Sequence, residues 1–186
     1  MGRKTNIEKA LNDTQLKDCC VLNSFKELRQ TADQPYTHEK LAAWSLPGVD
    51  KNRRTSVHTG ILKNSEMYLE TGRELAKNIP WAGICQTFAC ASSYIIKSCK
   101  DFAVNSIELF SFGNKFSGHV FLVIDRPKGS DESNPRTWTD AIIVDEWYAL
   151  QKGDDDHPAF KANDLGSAYM IWLLAKTGIR CELSVV

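Results

Sequence analysis

The sequence predicts an α+β fold, and three observations predict it. Apolar residues recur at helical intervals through much of the first hundred residues. Dense β-branched and aromatic runs follow from about residue 104. Between the two regions, residues 85–99 are apolar nearly all round and lack Gly and Pro, as expected of a buried central helix. Helices first and antiparallel strands afterwards give a layer of helix packed on a sheet. The 186 residues fit one globular unit, and 42% hydrophobic residues are enough to bury a core.

Each element has its own justification. Residues 6–30 read as a helix, with Ile7, Leu11, Leu16, Val21, Leu22, Phe25 and Leu28 spaced among charges. Residues 31–60, rich in Thr, Pro, Asp, Asn and Gly, read as loops with one short helix. Residues 61–78 form a second amphipathic pattern that ends before Pro80. Strands are expected over 104–112, 119–124 and 141–145, with a solvated loop at 127–135. A helix over 164–176 and a strand over 179–186 complete the chain. Residues 1–78 are thus a helical N-terminal region and 79–186 the core expected to carry chemistry.

Composition excludes several classes. Lys and Arg number 23 and so do the acids, so no basic excess exists to neutralise nucleic-acid phosphates. No apolar run reaches the roughly 18–20 residues that span a bilayer. Residues 1–6 are polar with no apolar segment after them, so a Sec-type signal is not expected. The six cysteines (19, 20, 85, 90, 99 and 181) contain no C-x2-C pair, and the four histidines are scattered. This pattern suits a reducing compartment and suggests neither a metal site nor a cofactor. His157 follows three aspartates, but the run lacks EF-hand spacing and reads as a solvated loop. His38 and His58 sit in polar stretches and read as solvent-facing.

One cysteine stands apart by position. Cys85 follows Gly83 at the point where loop becomes central helix, at the positive end of the helix dipole. That end favours a thiolate, and its open N–H groups suit an oxyanion. Cys90 and Cys99 lie deeper in the same helix, Cys19 and Cys20 in the first helix, and Cys181 in the last strand. A cysteine nucleophile needs a base, and the base an orienting partner. His119 opens the strand 119–124, and Asp145 closes 141–145. A hairpin pairing Leu122 with Ile142 would also set His119 opposite Asp145 on one face. Glu146 is the alternative carboxylate. Gln86 reads as a helix-surface residue or an oxyanion donor, and Trp147 as core or cleft wall.

These segments carry a resemblance. Residues 82–89, AGICQTFA, resemble the G-x-C-x-x-x-A helix start of transglutaminase-like and papain-like thiol enzymes. GHVFLVI at 118–124 resembles their histidine strand. VDEW at 144–147 resembles the D-x-W strand end of bacterial effector toxins of that superfamily. The order Cys, His, Asp agrees, and the likeness covers about residues 79–150. Ile84 and Gln86 replace the Asn or Gly that often flank the cysteine of deamidase effectors. The resemblance implies a papain-like/transglutaminase-like core with a Cys85–His119–Asp145 triad acting through a thioester. It implies a glutamine deamidase or cysteine protease, or a transglutaminase, that needs no cofactor and acts on a host protein. It also implies delivery into the host cell by a specialised secretion system. The alternative of another class is a non-catalytic binding module on an inactive version of the fold.

Overall fold

The computed structural model describes residues 2–22, 64–113 and 118–186. Among them are five α-helices and seven strands. The helices are α1 (Arg3–Asn12), α2 (Ser65–Lys77), α3 (Cys85–Ser98), α4 (Glu146–Lys152) and α5 (Ala168–Leu174). The strands are β1 (Cys20–Val21), β2 (Ala82–Gly83), β3 (Ile107–Phe112), β4 (His119–Ile124), β5 (Ile142–Val144), β6 (Ala159–Lys161) and β7 (Arg180–Ser184). The order β6-β5-β4-β3-β7 makes one antiparallel sheet, and β1 pairs with β2 in parallel. The α+β class is therefore as expected.

The sheet is covered on both faces. Side chains alternate along a strand, so β3, β4 and β5 divide by parity. Ile107, Leu109, Val120, Leu122, Ile124, Ile142 and Val144 face α1, α2 and α3, where they meet Ile7, Leu11, Leu75, Phe88 and Ile96. Phe110, Phe112, Phe121, Val123 and Ile143 face the other way, onto Trp138 and the α5 residues Tyr169, Met170 and Leu173. The helix expected at 85–99 thus lies on one face only. α2 packs closely on α3 because position 72 is glycine: a Cβ there would sit 2.3 Å from the Cys90 carbonyl oxygen.

The structure corrects several element assignments. The first helix stops at Asn12, because Gln15 turns the chain through left-handed angles (φ 59°) before a short 3-10 turn. Cys20 therefore lies in β1 and buried Cys19 just before it, not in a helix. Residues 23–30, the loop region 31–60 and residues 61–63 lie outside the described residues, as do His38 and His58. α5 starts four residues later than expected, where the Ser167 hydroxyl accepts from the Met170 N–H at 3.3 Å. The short α4 and β6 went unforeseen, as residues 146–161 mix charges with single apolar residues. The strand at 141–145 ends at Val144, and the β4–β5 register differs by two residues: Leu122 pairs with Val144, not Ile142. No helix among the described residues is long and apolar enough to cross a membrane.

Candidate active site

Cys85 is the first residue of α3. The loop before it is pinned on three sides. Leu22 N–H donates to the Gly83 carbonyl at 2.9 Å, continuing the β1–β2 pairing. Ile84 N–H donates to Thr87 Oγ1 at 3.3 Å. Gly83 packs so tightly that an added Cβ would fall 2.6 Å from Thr87 Cβ and 2.8 Å from the Trp81 ring. Larger residues at 83 would displace the start of α3. The first α3 amides to reach the Ile84 carbonyl are those of Thr87 (2.9 Å) and Phe88 (3.2 Å). The amides of Cys85 and Gln86 precede that ladder, so they have no partner within the helix itself. Gln86 is itself buried rather than on the helix surface.

His119 and Asp145 meet despite the changed register. A two-residue shift keeps every side chain on its face, and turns a directly opposed pair into a diagonal one. Asp145 lies just past β5, and its Oδ2 is 2.7 Å from His119 Nε2. Both side chains are buried. The Cys85 thiol also acts on the His119 ring, favouring its protonated form through hydrogen bonding and charge. Burial is the largest influence on His119 and pulls its pKa down. The Asp145 carboxylate and the Cys85 thiol outweigh it and push the pKa up to about 10. Asp145 thereby favours the protonated ring.

Asp145 has a second role that the sequence motif did not separate from the first. It caps α4: its Oδ1 accepts from the Tyr148 N–H at 3.1 Å. Tyr169 Oη, from α5, donates to Oδ2 at 2.9 Å. Glu146, the alternative carboxylate, is not the partner of His119. It is buried with Oε2 lacking a hydrogen-bond partner. Burial, then the charges of Asp145 and Asp155, raise its pKa to about 8 against a small opposing effect of Lys17. Two adjacent carboxyls thus have opposite roles: one is held by three donors and the other is buried without them.

Four aromatic rings surround His119. Ring centroids lie at 5.0 Å for Trp147, 5.4 Å for Phe112, 5.5 Å for Trp172 and 6.3 Å for Phe121. Trp147 is a wall of this site, fixed by its Nε1–H to the Leu22 carbonyl at 2.9 Å. Tyr169 and Trp172 were not singled out in the sequence. Both occupy apolar positions of a short helix, where an aromatic reads as core. The remaining cysteines stay apart: Cys90 is buried a turn deeper and donates to the Tyr68 carbonyl at 3.2 Å, and none of the six forms a disulfide. Exposed His157 has its Nδ1 3.6 Å from Glu8. Among the described residues no group of three His, Cys, Asp or Glu is placed to hold a metal.

The chain matches no protein-family model, and no curated protein or solved structure matches it significantly. The functional reading therefore stands on the geometry.

Proposed function

We propose that this protein is a thiol-dependent enzyme acting on a protein amide, on a papain-like/transglutaminase-like core. One observation carries the reading: a buried imidazole bonded at 2.7 Å to a carboxylate, with the thiol of a cysteine that starts a buried helix acting on the same ring. Cys85 attacks the amide carbonyl as a thiolate, and a C–S bond forms. The C–N bond then breaks, and the His119 imidazolium gives its proton to the leaving amine. Water, deprotonated by the same ring, releases the acid and restores the thiol. Asp145 holds the ring in the productive tautomer. The open amides at the start of α3 suit the oxyanion. In this reading a glutamine side chain yields a deamidase, a peptide bond a protease, and an amine acceptor a transglutaminase. We take the substrate to be a host protein and the enzyme to be an effector delivered into the host cell.

Alkylation tests the chemistry. At pH 6 ordinary thiols, with pKa about 8.5, react slowly with iodoacetamide, whereas an imidazolium-paired thiolate reacts fast. Cys85 should react fast in the wild type and slowly in His119→Ala. Equal, slow reaction in both would leave a binding module as the reading. Intact mass of candidate host proteins then separates the reactions. Deamidation adds about 1 Da as NH2 becomes OH, cleavage splits the chain, and transglutamination adds an amine.

A further inference from the structure

We propose that Tyr169 is a positioning residue of this site, acting on His119 through Asp145; the proposal rests on the Cys85–His119 reading above. The Asp145 carboxylate receives a donor on each oxygen from outside the pair. Tyr148 N–H holds Oδ1 at 3.1 Å, and Tyr169 Oη holds Oδ2 at 2.9 Å, the same oxygen that meets His119 Nε2. Held at both oxygens, the carboxylate cannot rotate about its Cβ–Cγ bond without breaking a buried hydrogen bond. Its plane, and with it the ring it faces, is thereby set.

The phenol is itself held in place. The Tyr169 ring stacks on Phe160 with centroids 4.0 Å apart and planes within 5°. It meets Tyr148 edge-on at 4.9 Å. Ser167 caps the helix that carries it. Burial, followed by the Asp145 charge, pushes the Tyr169 pKa well above its usual value, so the hydroxyl stays a donor across the working pH range. Its ring contacts concern packing alone, whereas the oxygen is spent on Asp145. Phenylalanine separates the two, because it keeps the ring and removes only the donor.

The test is site-specific alkylation of Cys85 by iodoacetamide, followed by peptide mass spectrometry from pH 5 to 9. The proteins are wild type, Tyr169→Phe, Asp145→Asn, their double variant and His119→Ala. At pH 6, Tyr169→Phe should react roughly tenfold slower than wild type, the cost of one hydrogen bond to a charged group. The two profiles should converge towards pH 9, where any thiol ionises. In the Asp145→Asn background, Tyr169→Phe should cause no further loss, since the hydroxyl acts only through the carboxylate. A Tyr169→Phe profile that superimposes on wild type overturns the proposal, as does an undiminished loss in the Asp145→Asn background. If Tyr169→Phe fails to fold, NMR of the sheltered Tyr169 hydroxyl proton in the folded wild type replaces it. A resonance that shifts on Asp145→Asn supports the coupling, and one that does not move overturns it. Slow alkylation of the wild type itself, equal to that of His119→Ala, overturns the Cys–His reading as a whole, and the wild-type arm alone reveals it.

Discussion

The two faces of the sheet are built from different materials. The face under α3 is aliphatic: Ile107, Leu109, Val120, Leu122, Ile124, Ile142 and Val144. The face under α5 is aromatic, with Phe110, Phe112, Phe121, Trp138 and Tyr169. His119 and Asp145 fall, by strand parity, with the aromatic face. Aliphatic side chains fill space and carry no polar atoms. Aromatic ones fix ring planes, and tyrosine and tryptophan add a donor at the rim. A buried polar pair needs such directed partners, because each unmet group in the interior is costly. The aliphatic face thus carries stability and the aromatic face orients the polar chain. Cys85, at the tip of the helix on the aliphatic face, is where the two meet.

The sharpest way to break this contrast is at the meeting point. On the proposed reading, Cys85→Ala should reduce amide turnover to background, because among the described residues no other thiol starts a helix beside His119. His119→Ala should cost nearly as much, and Asp145→Ala less, since an unheld ring still visits the right tautomer. Members of a triad act as a unit, so the Cys85→Ala/His119→Ala double variant should be no worse than Cys85→Ala. Cys85→Ala and His119→Ala should keep their circular dichroism. On the aliphatic face the expected loss is the reverse. Phe88 is 1% exposed and packs on Trp81 with centroids 4.8 Å apart. Phe88→Ala should cost about 3–5 kcal/mol in urea unfolding. The molecules that remain folded should still alkylate at Cys85. A folded Phe88→Ala protein with a dead thiol would end the division of labour.

Stability against pH tests the buried charges. Glu146 is raised in the fold from its usual 4.5 to about 8. The folded state then holds a proton that the unfolded chain has released. Its contribution is present below 4.5 and lost as pH rises through 8. His119 is raised from 6.5 to about 10, so its contribution is complete below 6.5 and lost as pH rises through 10. Both windows push the same way, and the urea midpoint should fall steadily on the alkaline side. Glu146→Gln should flatten the first part of that fall and His119→Ala the second. A midpoint constant from pH 5 to 10 would mean that neither group is perturbed in the fold.

Much of this was legible beforehand, for reasons visible in particular residues. β4 agrees with its expected bounds because the five consecutive apolar positions after His119 permit little else. α3 was legible because a long apolar run without Gly or Pro has one stable outcome. The His119–Asp145 meeting survived a wrong register because the slip was two residues, and a strand repeats every two. The helix over 6–30 failed at Gln15, where a left-handed turn breaks the chain at a residue that carries no turn signature. Asp145 as a helix cap was obscured by its motif, since the same carboxylate serves His119. Tyr169 was illegible for a different reason: only the fold brings residues 145 and 169 together.

A close approach between helices offers a smaller, local probe of the aliphatic face. In Gly72→Ala the new methyl would lie 2.3 Å from the Cys90 carbonyl oxygen and 3.0 Å from Tyr94 Cβ. The first of these is backbone, so α2 must move away from α3. The cost should be about 1–3 kcal/mol in urea, with alkylation of Cys85 preserved. An unchanged midpoint would show that the two helices are not packed this closely.

The smallest expected effect is the most informative about which thiol matters. Cys90 shares α3 with Cys85 and has no solvent exposure. Its Sγ donates to the Tyr68 carbonyl at 3.2 Å, a weak bond across the α2–α3 contact. Cys90→Ala removes one buried sulfur from the α2–α3 contact and leaves a void about the size of that atom. The loss should be about 1 kcal/mol, and the rate at Cys85 should be unchanged, because nothing in its path to His119 is touched. The pair therefore forms an internal control on one helix: Cys85→Ala should kill chemistry at little cost to the fold, and Cys90→Ala should cost a little stability with no loss of chemistry. Turnover that survived Cys85→Ala and vanished in a folded Cys90→Ala protein would move the nucleophile one turn inward. It would also strand His119 and Asp145 without a thiol, and the aromatic face would then be packing alone.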